Sequence, residues 1–237
     1  ASATFWLLVG PGNIHSMYDS QVSTVTTSTS PLVVTVKTGP SNTQAFIGLV
    51  GLTLQVVVRN GLGGPIIYDS GAISLDGTVV TDWYAYYFEE AVQRSEVIVK
   101  NIPVYYDSYT TITLTGSGTV ACGVHTFGTL HDLGLTQWGA SIGIVDYSRK
   151  DTDDYGNTTF TVRAFSNKMN TNFMLMNTEL MRVKKKLEAL RATPCVWIGS
   201  DAEGFEALTV YGWYKDFSIE IPYLLNSYCS LEVEGLT

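Results

Sequence analysis

The chain has 237 residues, of which 45% are apolar and only 15% charged, and 22 acidic side chains against 14 basic ones leave a net charge of −8. That length accommodates one large or two ordinary domains with real cores. The low charge fraction and the abundance of Thr, Ser, Gly, Val and Tyr fit turn-rich β-sandwiches and not a helical enzyme, and the acidic balance argues against a nucleic-acid surface.

No apolar run approaches the roughly 18 residues of a membrane span. The first residue is not Met, so a processed chain or a fragment lacking an upstream segment is expected. Residues 5–9 are too short, and lack a basic lead, for a signal-peptide core. Residues 4–9 read as a short apolar strand ending in a Gly-Pro-Gly-Asn loop. Strand-like runs follow at 22–29, 32–37, 45–51 and 52–59, the last with Leu52, Leu54, Val56 and Val58 on one side. The turn Asn60-Gly61-Leu62-Gly63-Gly64-Pro65 leads into a returning run at 66–70. The aromatic stretch 82–88, DWYAYYF, reads as the centre of this half, and further runs lie at 97–100, 109–115 and 119–127. About eight strands with regular turns and no helix make residues 1–127 an antiparallel jelly-roll or β-sandwich.

The alternation breaks over residues 128–147, which contain four glycines. This stretch reads as a packed connector, because Leu133, Leu135, Trp138, Ile142, Ile144 and Val145 call for burial. Residues 148–158 form a polar tip. Residues 159–165 read as a strand, with Phe160, Val162 and Ala164 alternating against Thr159, Thr161 and Arg163. A helix is expected over 178–191, since Leu180, Val183, Leu187 and Leu190 share one stripe. Asn177 or Thr178 is the expected cap, Arg191 lies in the last turn, and Pro194 forbids continuation. Strand-like runs at 195–198, 208–214, 217–222 and 227–233 complete a second module, 148–237, with one helix against one sheet.

Chemistry-bearing patterns are sparse. His15, His125 and His131 have no His or Cys at metal-ligand spacing. Cys122, Cys195 and Cys229 lie in apolar runs and read as small buried hydrophobes, with a Cys195–Cys229 bridge left open. The Gly61–Gly64 run precedes Pro65 and a strand, so a hairpin turn is expected rather than a phosphate cradle. Residues 151–162 faintly match a calcium loop. Tyr155 at its fifth position and Val162 at its twelfth, where a bidentate Glu is required, favour a solvated hairpin tip with Gly156 left-handed. Glu89 and Glu90 are adjacent, so in a strand they point to opposite faces and cannot flank one glycosidic bond. Two readings stand for the aromatic run. Trp83, Tyr84, Tyr86 and Tyr87 are candidate glycan contacts through ring stacking; alternatively Trp83 and Phe88 are core, and the tyrosines bury their rings with wet hydroxyls. No catalytic residue, cofactor or metal is expected.

The phrases WLLVGPGNIHSMYD, FIGLVGL and DWYAYYF, and then DYSRKDTDDYGNTTFTVRAF and RATPCVWIGSDAEGFEALTVYGWYKDFSIEIPYLLNSYCSLEVEGL, resemble tail-tip proteins of long-tailed bacteriophages over nearly the whole chain. The strand–helix–strands order of the second module is similar to the distal-tail and tail-tube fold, and the first half resembles a galactose-binding-type jelly roll. The resemblance implies a non-enzymatic virion component of a tail tip or baseplate. Its partners would be further copies of itself in a ring or trimer, neighbouring tail proteins and host-surface glycans. Leu180, Arg182, Lys185 and Lys186 on the helix are then candidate subunit contacts. A carbohydrate-binding adhesin is the alternative reading.

Overall fold

The computed structural model describes residues 12–77, 83–88, 92–200, 202 and 204–237, without the side chains of Ala85, Tyr86 and Glu206. The expected strand at 4–9 and the Glu89–Glu90 pair lie outside these residues. The fold is mainly β, built from antiparallel sheets, and the chain divides into two units, Ala1–Phe127 and Gly128–Thr237.

In the first unit, a 3-10 helix at Asn13–Tyr18 precedes β1 (Thr26–Thr29), β2 (Leu32–Lys37), β3 (Thr43–Ile47), β4 (Thr53–Asn60) and β5 (Ile66–Ser74). The helix α1 (Trp83–Phe88) follows, then β6 (Glu96–Val99), β7 (Ser108–Thr115), β8 (Thr119–Cys122) and β9 (Val124–Gly128). One sheet has the order β2-β7-β4-β5, a second β6-β3-β9, and β1 pairs with β8. The first sheet turns Leu32, Val34, Leu54, Val56, Val58, Ile112 and Leu114 inward, where they meet Phe46, Val97, Val99, Val120, Cys122 and Met17 in one core. Each fully buried side chain of this size contributes roughly 1.5–3 kcal/mol. Period-2 alternation sets that face, and Thr35 and Thr111, opposite each other on the other face of β2 and β7, are hydrogen-bonded at 3.0 Å. Leu52 departs from the expected stripe: it precedes β4 and is exposed. The Gly61–Gly64 run is the β4–β5 turn, in which Gly61 and Gly63 take positive φ and Arg59 Nη1 donates to the Gly64 carbonyl. Its glycines therefore make a hairpin. The run at 119–127 splits in two at Gly123, whose N–H donates to Ile47 and Gly48 carbonyls and leaves the ladder.

In the second unit the elements are β10 (Leu135–Thr136), β11 (Ser141–Asp146), β12 (Arg149–Thr152), β13 (Thr158–Thr161), β14 (Phe165–Met176), α2 (Leu180–Ala189), β15 (Cys195–Ile198), β16 (Thr209–Glu220) and β17 (Asn226–Gly235). They form a six-stranded sheet, β10-β14-β17-β16-β15 with β11 also on β14, and a separate β12–β13 ribbon. Met169, Phe173, Leu175, Val210, Cys229, Leu231 and Val233 form the sheet's apolar face, and α2 lays Val183 and Leu187 into the same core.

Several expectations are corrected here. The stretch expected as a packed connector supplies β10 and β11 to the sheet, and Leu135, Trp138, Ile142 and Ile144 are exposed. The strand expected at 159–165 ends at Thr161, and Phe160, Val162 and Ala164 all face water. The twelve-residue β14 begins where that reading stopped. The runs at 208–214 and 217–222 are one strand, β16, interrupted by a bulge between Tyr214 and Asp216. The helix is shorter than 178–191: Glu179 occupies the N-cap position without a side-chain cap, and Arg191 lies beyond the helix. Asn177 does not cap. Its Nδ2 donates to the Tyr223 and Leu224 carbonyls at 3.0 and 2.8 Å, and so holds the β16–β17 turn. All three cysteines are free. Cys195 lies level with Gly212, and through it with Gly235, six positions along β17 from Cys229. That is about 20 Å at strand rise, far beyond disulfide reach.

Candidate functional site

The aromatic run forms a helix, in a half where none was expected, and reaches the surface rather than the core. On α1, residues four apart share a face. Trp83 stacks on Tyr87 with centroids 6.3 Å apart and planes at 18°, and Tyr84 meets Phe88 at 5.0 Å. Trp83 and Phe88 are 78% and 73% exposed, and Tyr84 and Tyr87 are exposed as well. The expectation that Trp83 and Phe88 are core is therefore overturned. Three of the four candidate glycan contacts, Trp83, Tyr84 and Tyr87, thus lie on one short helix. Tyr86 is on it too, but its side chain lies outside the described residues. Exposed ring faces of this kind offer apolar planes on which a sugar ring's C–H face can stack.

Inside the same unit lies an arrangement that the sequence reading missed. His125, 2% exposed on β9, is stacked on Phe46 at 4.6 Å and 7°, with Tyr18 edge-on at 5.6 Å. Its Nε2 is 3.2 Å from Gln44 Oε1, which can only accept, so Nε2 carries the proton and Nδ1 accepts from the Tyr18 hydroxyl at 3.1 Å. Gln44 Nε2 donates to Thr110 Oγ1 at 2.6 Å, Thr110 meets Thr38 at 3.1 Å, and Thr38 reaches the Ser108 carbonyl. The result is one directed run of hydrogen bonds that ties the 3-10 segment to both sheets. Burial pushes the His125 imidazole down to about 3 and the Tyr18 hydroxyl up to about 12, so both are neutral across the ordinary pH range. The signal available in the sequence was a Gln and a His in strand-like runs, each two positions before a phenylalanine, Phe46 and Phe127.

Other chemistry-bearing groups are dispersed. Desolvation pushes the half-buried Glu96 carboxyl up to about 7, with no charged group among the causes. No group of three or more His, Cys, Asp or Glu among the described residues is arranged to hold a metal. Asp153 is engaged by its own turn, where Oδ1 accepts from the Tyr155 and Asn157 N–H groups and Oδ2 from Asn157 Nδ2. With Gly156 at φ +84°, this is a hairpin tip and not a calcium loop. His15 and His131 are both exposed.

The candidate contacts on α2 divide by face. Leu180 packs against the unit's own core. Arg182 pairs with Glu179 and donates to the Asp132 carbonyl at 3.2 Å. Lys186, half-buried on the same face, stands near His131 and with Arg182 lowers its pKa, after desolvation. Lys185 is exposed. Compared with protein-family models and with characterised proteins, the chain matches neither.

Proposed function

We propose that this chain is a non-enzymatic structural component of a bacteriophage tail tip or baseplate, which assembles as a symmetric oligomer and presents its first unit outward. The observation that carries the reading is the succession of two β-rich units with separate cores, the second holding its helix between β14 and the β15–β17 strands. That order is the one implied by the resemblance of the quoted phrases to tail-tip proteins. Among the described residues β15 and β10 are outermost in their sheet, and such edges supply surfaces on which copies or neighbouring tail proteins can add strands. The test is the mass of the purified chain by light scattering. A closed trimer or hexamer supports the reading, and hydrolysis of a glycan or peptide by the purified chain refutes it.

A second reading, a module that binds bacterial surface glycans, is favoured by the exposed ring faces of Trp83, Tyr84 and Tyr87. A glycan screen with the full chain and with its W83A/Y87A variant separates the two. Binding that the variant loses supports the glycan module.

A further inference from the structure

The β12–β13 ribbon is unusual in where it lies and in how its charges run. Residues 149–165 are exposed throughout, with Phe160 at 68% and Val162 at 85%. A lone two-stranded ribbon with water on both faces is marginally stable. Its two outer edges differ. The β12 strand carries Arg149, Lys150 and Asp151, the charged kind of edge that resists pairing, whereas residues 158–162 (TTFTV) are uncharged and rich in β-formers. The ladder also fixes which backbone groups face out. The Asp153 N–H donates to the Asn157 carbonyl at 3.0 Å, and the Arg163 N–H turns inward to Ser148 Oγ at 3.1 Å. By alternation, Thr158, Phe160 and Val162 present their N–H and C=O groups to the open edge. Among the described residues no strand pairs with that edge.

Charge supplies the partner. Arg149, Lys150 and Arg163 lie toward the base of the ribbon, and Asp151, Asp153 and Asp154 toward its tip, so it is neutral but polarised along its length. An antiparallel copy of the same ribbon is its electrostatic complement.

We propose that the open edge of β13 pairs with the β13 edge of a second copy of this chain, antiparallel, about a two-fold axis at Phe160. In that register the two Phe160 backbones exchange both hydrogen bonds, and Thr158 of each copy pairs with Val162 of the other. Thr159 meets Thr161 across the seam, in side-chain pairs of the kind that stabilise sheets. Arg163 of each copy falls beside Asn157 of the other, one strand from the Asp153 tip. Two marginal ribbons become one four-stranded sheet, β12-β13-β13-β12. Lys150, which lies over the Phe160 ring at 6.0 Å, extends the central row on both sides. The pairing does not rest on a tail assignment and stands or falls separately from it.

The test combines sedimentation of the full chain and its F160K variant with oxidative cross-linking of F160C. Phe160 is exposed, so neither substitution touches a core. Directly opposed residues in a hydrogen-bonded antiparallel pair lie about 5.5 Å apart between Cα atoms, within disulfide reach. The expected result is that F160K sediments at half the mass of the parent at tens of micromolar. F160C should become mostly cross-linked dimer, while the parent, with its three native cysteines, does not. Equal masses for parent and F160K, or cross-linking of F160C no greater than that of the parent, overturns the proposal, including where the parent assembles by another surface.

Discussion

Acidification tests the buried network directly, because His125 and Glu96 respond to it in opposite senses. The His125 imidazole is held near 3 in the fold against 6.5 ordinarily, so between these values the unfolded chain binds a proton that the folded chain does not. Stability contributed by neutral His125 is complete above pH 6.5 and falls with pH, by about 1.4 kcal/mol per pH unit. From pH 6.5 to 4.5 that amounts to roughly 3 kcal/mol. Glu96, pushed up to about 7 from 4.5, takes up its proton in the fold first, so acidification over the same window favours the folded state. Its carboxyl is still partly wet, and solvent screening brings its return to about 1–2 kcal/mol. The parent should therefore lose only about 1–2 kcal/mol over this window, whereas Glu96→Gln, which cannot titrate, should lose roughly 3 kcal/mol. The measurement is urea unfolding at a series of pH values, followed by hydrogen exchange in β4 and β7, with β14 and β17 as the internal reference for the second unit. An E96Q midpoint that stays constant from pH 6.5 to 4.5 would refute a neutral, desolvated His125.

Four further outcomes are expected. Leu187→Ala, which empties a 2%-exposed site between α2 and the sheet, should cost about 2–5 kcal/mol in thermal unfolding of the second unit. Trp83→Ala should change stability by no more than about 0.5 kcal/mol, because the ring lies on the surface; a larger loss in calorimetry would mean that α1 packs more deeply. In intact protein Cys122, buried and pushed up to about 12, and buried Cys229 should resist alkylation, and half-buried Cys195 should label first, as read by peptide mass spectrometry. Asn177→Ala should remove two hydrogen bonds to the β16–β17 turn, cost about 1–2 kcal/mol and accelerate exchange across residues 221–225.

Much of the sandwich was legible because its strands alternate cleanly. Leu54, Val56 and Val58 on β4, and Cys229, Leu231 and Val233 on β17, are inward as their spacing requires. The stripe on α2 was legible for the same reason, since Val183 and Leu187 are its buried centre. Where the reading failed, local chemistry was misleading. The β14 strand hides its period-2 face, Met169, Thr171, Phe173 and Leu175, among asparagines and a lysine that disfavour strands, and pairing with β11 and β17 overrides that preference. The residues of α1 are strand formers by type, yet their i,i+4 aromatic pairs fit a helical turn. Trp138, Ile142 and Ile144 were expected inside because they are apolar, but apolarity does not by itself dictate burial. The candidate glycan surface was legible as a cluster of aromatics and illegible as a helix. The His125 network was missed because its members are scattered from Tyr18 to His125, and only the sandwich brings them together.

The hydrogen-bond run from Tyr18 to Ser108 has a consequence for inheritance. Each donor in it points the same way, and each acceptor is spent on the donor before it. Replacing His125 by an apolar residue would take the partner from the half-buried Tyr18 hydroxyl and leave the buried Gln44 amide oxygen unpaired, the latter at about 1–3 kcal/mol. Replacing Gln44 together with His125 would strand no more groups than either change alone, because the bond between them leaves as a pair. Descendants of this sequence should therefore keep Tyr18, Gln44, Thr110 and His125 together or lose them together, so that four positions distant along the gene would behave as one heritable character.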